Sequence, residues 1–313
     1  MVDWAAYRIA PLLDEHVFRL PEDAPRLTKD GKPWVRWANA CGDYSGYYAL
    51  GTRPPELVDE PSDVFWHFVV GLASEVGNGM ADAVHCVGPG VLSIGGMGVT
   101  LSSGYAQVLL GYCLEELPLH WVHAMMPVLR TSGVCVGLSD AGLRGWSLVA
   151  PELREAIATA EQLDRAVRGG SNGTQWHAVQ KYRAKTWVSC VSEMLSHPGM
   201  DAAQARFCRA YVPQLMPSEA RERISWPTNG IQDGWMFTDE QRALWACAMV
   251  LFIEDEQQAT RLVMEHVQTE PIDAKASLRN LRDAAPDPKW TDTFRGRISN
   301  TVSRVQELFK FQV

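Results

Sequence analysis

Leu72-Ala73-Ser74-Glu75, then Asp82-Ala83-Val84-His85, then Gly90-Val91-Leu92-Ser93-Ile94-Gly95-Gly96-Met97-Gly98-Val99-Thr100, form the stretch from which the rest of the chain is best read. Upstream, the apolar run Phe65 to Ala73 follows the cap-type residues Ser62-Asp63, so it reads as a helix that closes on Ser74-Glu75. Downstream, Gly77, Gly79, Gly88, Gly90, Gly95, Gly96 and Gly98, together with Pro89, are too many breakers for a helix. Loops or short strands are expected there. A carboxyl at the end of an apolar helix is expected to be partly desolvated, a condition that suits a proton donor. Glycines next to it let backbone approach a polymer that side chains would hold off.

Outward from this window the pattern is mainly helical. Apolar residues recur at helical spacing from Trp4 to Leu20, where Pro21 stops them. Pro25 to Pro61 is irregular, with a hairpin-type turn at Lys29-Asp30-Gly31-Lys32. The aromatic-rich pieces Trp34 to Trp37 and Tyr44 to Tyr48 in it suit either a small β element or a loop over the site. Helices are expected at about 103–116 and 119–129, after Pro151 as far as Gly169-Gly170, and at 174–195 and 201–215. Thr238-Asp239-Glu240-Gln241 makes a capping box ahead of the apolar run Ala243 to Ile253, and two further helices cover about 272–283 and 290–311. The short acidic run Glu254-Asp255-Glu256 reads as a solvated helix end. The expected fold class is mainly α (α+β): a helical core, a small β or Gly-rich element, and additional C-terminal helices. In domain terms this gives 1–61 as an N-terminal helix plus irregular region, 62–270 as the core, and 271–313 as helices packed on it.

Composition narrows the function classes. The formal net charge is −8 and the basic residues are scattered, which disfavours nucleic acid as a partner. The longest apolar runs fall well short of the ~20 residues needed to span a membrane. Seven cysteines, an odd number without CxxC spacing, sit in apolar stretches and read as reduced, buried thiols. The N-terminus Met-Val-Asp-Trp-Ala-Ala-Tyr has no secretory signal pattern, so synthesis in the cytoplasm is expected. Twelve tryptophans suit both core packing and flat stacking surfaces. His120 and His123 lie three apart on a helix without a third ligand at a recognisable offset, so ordinary histidines are expected there and no metal. His85-Cys86 are adjacent and do not form a nucleophile pair, and Gly88 to Ser93 lacks the third glycine of a dinucleotide loop.

The central window resembles the lysozyme superfamily, in particular phage lysozymes and soluble lytic transglycosylase-like proteins. In those proteins a catalytic Glu ends a helix and a Gly-rich segment follows. The similarity is greatest to a phage-associated, peptidoglycan-directed pattern that runs Glu, Asp-Ala-Val, then Gly-Ile-Leu-Ser-Phe-Gly-Ile-Met-Gln-Trp-Thr. Glu75, Asp82-Ala83-Val84, Gly90-Val91-Leu92-Ser93-Ile94-Gly95, Met97 and Thr100 match it, without gaps from Asp82 onward. The resemblance implies cleavage of peptidoglycan glycan strands, by a muramidase or a lytic transglycosylase. Glu75 would be the general acid and Asp82 a second carboxylate; Ser93 and Thr100 would hold substrate over the backbone of Gly95 and Gly96. It implies neither metal nor organic cofactor, and it implies a phage-encoded protein that meets the wall after lysis, by delivery, or within a virion. The chain departs from the pattern where Gly88-Pro89 replaces an Asp and where Gly98-Val99 replaces Gln-Trp. Those departures imply an alternative, a non-catalytic virion or wall-binding protein on the same scaffold.

Overall fold

The computed structural model describes residues 35–39, 45–49, 51, 53–55, 64–76, 79–86, 92–100, 105–132, 135–138, 146–149, 178–224, 237–267 and 272–313. The N-terminal helix, the turn at 29–32 and the helix after Pro151 expected from sequence lie outside these residues. Among the described residues the protein is mostly helical with small antiparallel sheets. None of the described helices is long and apolar enough to cross a membrane. Two compact units cut across the three segments expected: Met1–Arg53 with Met80–Ala203, and Pro54–Gly79 with Gln204–Val313.

The first unit holds a five-stranded antiparallel meander in which each strand pairs with its neighbour in sequence. Its strands are β1 (Val35–Asn39), β2 (Ser45–Ala49), β3 (Val84–Cys86), β4 (Ser93–Ile94) and β5 (Val99–Thr100). The aromatic-rich pieces therefore form a β element, with Val35 opposite Ala49 and Trp37 opposite Tyr47. α2 (Tyr105–Glu116) packs on β5 and on α3 (Pro118–Ser132), which in turn packs on α4 (Ala178–Leu195). α4 covers β1, β2 and β3, and buries Trp187, Val188, Val191 and Met194. A separate hairpin joins β6 (Cys135–Leu138) to β7 (Trp146–Val149), with β7 against α2.

The second unit is helical. α1 (Val64–Val76), the end of α5 (Met200–Leu215) from Gln204, α6 (Ser218–Arg223), α7 (Asp239–Glu254), α8 (Glu256–His266), α9 (Ala274–Ala284) and α10 (Asp292–Phe309) make it up. α7 lies at its centre, packed by α1, α8, α9 and α10. Ala243 to Phe252 are all buried, as a helix apolar on every side must be. Thr238 starts α7 with the expected capping box. The acidic run after it is not a solvated end. Asp255 closes α7 and caps α8, its carboxylate accepting from the Gln258 N–H at 3.1 Å. Phe65 and Trp66 join α1 to α7 through ring contacts with Trp245 at 4.5 and 4.6 Å. Trp66, Trp121, Trp187, Trp245 and Trp290 are all buried, so the tryptophans among the described side chains serve packing rather than surface stacking.

Candidate functional site

Residues 93–100 of the Gly-rich window form the meander's last hairpin. Val84 pairs with Ile94 and His85 with Ser93, and Ser93 faces Thr100 across β4 and β5. Residues 95–98 turn the chain. Gly95 N–H donates to the Ala83 carbonyl at 2.9 Å, and Gly98 N–H to the Gly95 carbonyl at 3.1 Å. Gly98 has φ +65°, a conformation that side chains rarely adopt. The Ser93 hydroxyl donates to the Gly98 carbonyl at 2.8 Å, so it serves the turn. Gly95 and Gly96 are buried whereas Gly98 is exposed, so the backbone that this hairpin offers to solvent is at Gly98 and not at the two glycines expected to floor a cleft.

Asp82 is only 3% exposed. Its carboxylate accepts from the Arg53 N–H at 3.0 Å, and its carbonyl accepts from the Ser192 hydroxyl at 2.7 Å. Arg53 continues the chain of contacts, with Nη1 2.6 Å from the Asp201 carboxylate and Nη2 donating to the Leu195 carbonyl at 2.8 Å. Gly51, at φ +74°, closes the arrangement, because a Cβ there would lie 2.5 Å from Asp82 Oδ1 and 2.9 Å from the Ala83 nitrogen. Asp82 thus ties the segment around Gly51 and Arg53 to α4 and to the start of α5.

Glu75 belongs to the second unit, whereas Asp82, Ser93, Gly95, Gly96 and Thr100 belong to the first. It stands in the last turn of α1, as its sequence context requires. Just beyond, the Gly79 N–H donates to the Ser74 carbonyl at 2.8 Å and closes the helix end. The desolvation expected of its carboxyl is not found. The side chain is 49% exposed, because α1 turns this one position away from the core that buries its neighbours. Arg304 on α10 grips it instead. Nη2 donates to Oε1 at 3.0 Å and Nε donates to Oε2, while Nη1 sits 2.6 Å from Glu307 Oε2. The hydrogen bonds to Glu75 first, and then to Glu307, hold the guanidinium proton still more tightly than usual. Glu75, Val76, Asn300, Ser303, Arg304 and Glu307 line a surface groove of about 290 Å³.

Arg304 and Glu307 were not singled out by sequence. Their signal was the stripe Asn300, Ser303, Arg304, Glu307 at helical spacing, which marks a polar face without naming what it meets. His120 does not act with His123. Its Nε2 lies 3.0 Å from the Met194 carbonyl, and its ring is 4.9 Å from that of His197. Among the described residues no group of three or more metal-ligating side chains forms. Cys86, Cys113, Cys190, Cys208 and Cys247 are buried, as their apolar context requires, and none of these five forms a disulfide. Burial pushes the Cys190 and Cys247 thiols up to about 12. The chain matches no family model, no curated protein and no solved structure.

Proposed function

We propose that this protein acts on peptidoglycan glycan strands, with Glu75 as the general acid at the glycosidic oxygen. The observation that carries this reading is the groove at Glu75: a carboxylate at a helix end, set among Asn300, Ser303, Arg304 and Glu307, all of them groups that hydrogen-bond sugar hydroxyls and amides. Arg304 must release Glu75, and the freed carboxylate must take up a proton from solvent, before it can act as the acid. The pair is exposed, and its two-point geometry puts the cost of release at the upper end of such pairs, about 1 kcal/mol. Glu307 already holds one arm of the guanidinium, so the charge stays paired when Glu75 lets go. Sugar rings laid over the groove would then exclude water from the carboxyl, the setting in which proton transfer to a leaving oxygen is efficient. A water, or a hydroxyl of the substrate, completes the displacement through an oxocarbenium-like state. The burial of Asp82 and its bond to Arg53 favour a scaffold role for it over that of a second carboxylate.

A second reading, a non-catalytic wall-binding or virion protein on a lysozyme-like scaffold, is favoured by the two-point grip of Arg304 on Glu75. Incubation of purified peptidoglycan with the wild type and with Glu75→Gln separates the two. Soluble muropeptides released by the wild type and lost in the variant support the enzyme. Wall binding without release, equal in both proteins, supports the second reading. No binding by either protein overturns both.

A further inference from the structure

Three phenylalanines that touch one another, Phe68, Phe309 and Phe311, lie outside the lining of the groove that holds Glu75. Phe68 lies seven residues earlier on α1, and since seven residues are nearly two full turns it stands on the same line of the helix, about 10 Å away along the axis. Phe309, the last residue of α10, meets it edge-to-face with ring centroids 4.9 Å apart, and Phe311 follows at 6.3 Å from Phe309. All three rings are half-buried, unlike the described tryptophans.

The position of Phe311 is built rather than incidental. Lys310 ends α10 at φ +51°, and it is the one non-glycine residue with positive φ among the described residues. That left-handed cap turns the chain back so that the Phe311 N–H donates to the Gln306 carbonyl at 3.3 Å and the ring returns toward Phe309. A side-chain-bearing residue pays for this conformation in backbone strain, which persists only where the surroundings impose it.

Resting on the reading of the Glu75 groove as a glycan site, we infer that the site extends along α1 to a stacking step formed by Phe68, Phe309 and Phe311. The polar groove and the aromatic step are separated by about the length of two pyranose rings, given the helical rise. A pyranose carries hydroxyls at its rim and C–H groups on its face. The rim suits Glu75, Asn300, Ser303, Arg304 and Glu307, and the face suits an aromatic ring, which combines apolar area with a fixed shape. A linear strand of N-acetylated sugars presents both surfaces along its length. The ligand of this seam is therefore a strand of several sugars, and a single disaccharide fills only its polar end.

Calorimetric titration of the full chain with the dimer and the tetramer of N-acetylglucosamine tests this. The wild type is expected to bind the tetramer at least about tenfold more tightly than the dimer. Phe311→Ala is expected to bring that ratio close to one, and Phe311→Leu, which keeps apolar volume without a flat ring, to restore it only in part. A thermal melt of each variant shows whether the fold is kept. Equal affinity of the wild type for the two lengths, or an unchanged ratio in Phe311→Ala, overturns the extended site while leaving the Glu75 groove standing. Failure of the wild type to bind either oligosaccharide or purified peptidoglycan overturns the glycan reading of the groove, and the extended site with it.

Discussion

Asp82 and Glu75 carry the same functional group seven positions apart in the chain, and their surroundings are opposite. Asp82 is buried, accepts a backbone N–H, and belongs to a linked set with Gly51, Arg53, Ser192 and Asp201. Glu75 is half exposed and is held at two points by the Arg304 guanidinium beside a surface groove. A buried carboxylate with fixed partners is expensive to disturb and cannot easily change its contacts. An exposed ion pair costs little to break, so its carboxylate is available to a ligand. Asp82 and the hairpin that follows it maintain the fold of the first unit, and the groove lies at Glu75 in the second.

Substitutions probe that contrast directly. Asp201→Ala leaves the Arg53 guanidinium buried without its carboxylate, and is expected to lower stability by about 3 kcal/mol. A fall in the urea midpoint at constant m-value would register it, and an unchanged midpoint would mean that Arg53 finds another partner. Gly51→Ala forces a Cβ against the Asp82 carboxylate and the Ala83 backbone at a left-handed position, at an expected cost of about 2–3 kcal/mol. Thermal melts would show this, and tolerance of the alanine would break the picture of a close-packed clasp. Asp82→Ala removes the acceptor of the Arg53 N–H and is expected to cost about 2 kcal/mol, seen as faster amide exchange at Arg53 as well as lower stability. Glu75→Gln is expected to change stability by less than about 1 kcal/mol. A larger loss would make Glu75 a structural residue and remove the basis for placing a ligand there.

Much of the helical part was legible because its signals are local. The capping box at Thr238 and the unbroken apolar run after it locate α7, and the closing glycines put Glu75 at the end of α1. Asp255 shows how a local signal can be assigned to the wrong structure. An acidic run after a helix reads as solvated, yet Asp255 with Gln258 three residues on is also a helix start. α6 is too short to have a period of its own. The strands at 35–39 and 45–49 were suggested by composition but not decided, because their pairing with each other and with β3 depends on residues distant in sequence. The pairing of Glu75 with Arg304 had no sequence signature. Arg304 lies 229 residues away, and helical spacing on α10 shows which residues share a face but not which carboxylate they meet.

The order of segments in the second unit also bears on how the chain is made. α1 is apolar on nearly every side, and the helices that bury it, α7 and α10, follow it by more than 150 residues. Most of the first unit is synthesised in between, and its meander can assemble strand by strand because each strand pairs with the next in sequence. During translation, therefore, α1 emerges well before its cover, and the nascent chain carries a sticky segment beside a partly formed sheet. Ribosome-bound chains that have not yet exposed α10 should recruit holding chaperones at α1, and that recruitment should fall once the whole of α10 has left the ribosome.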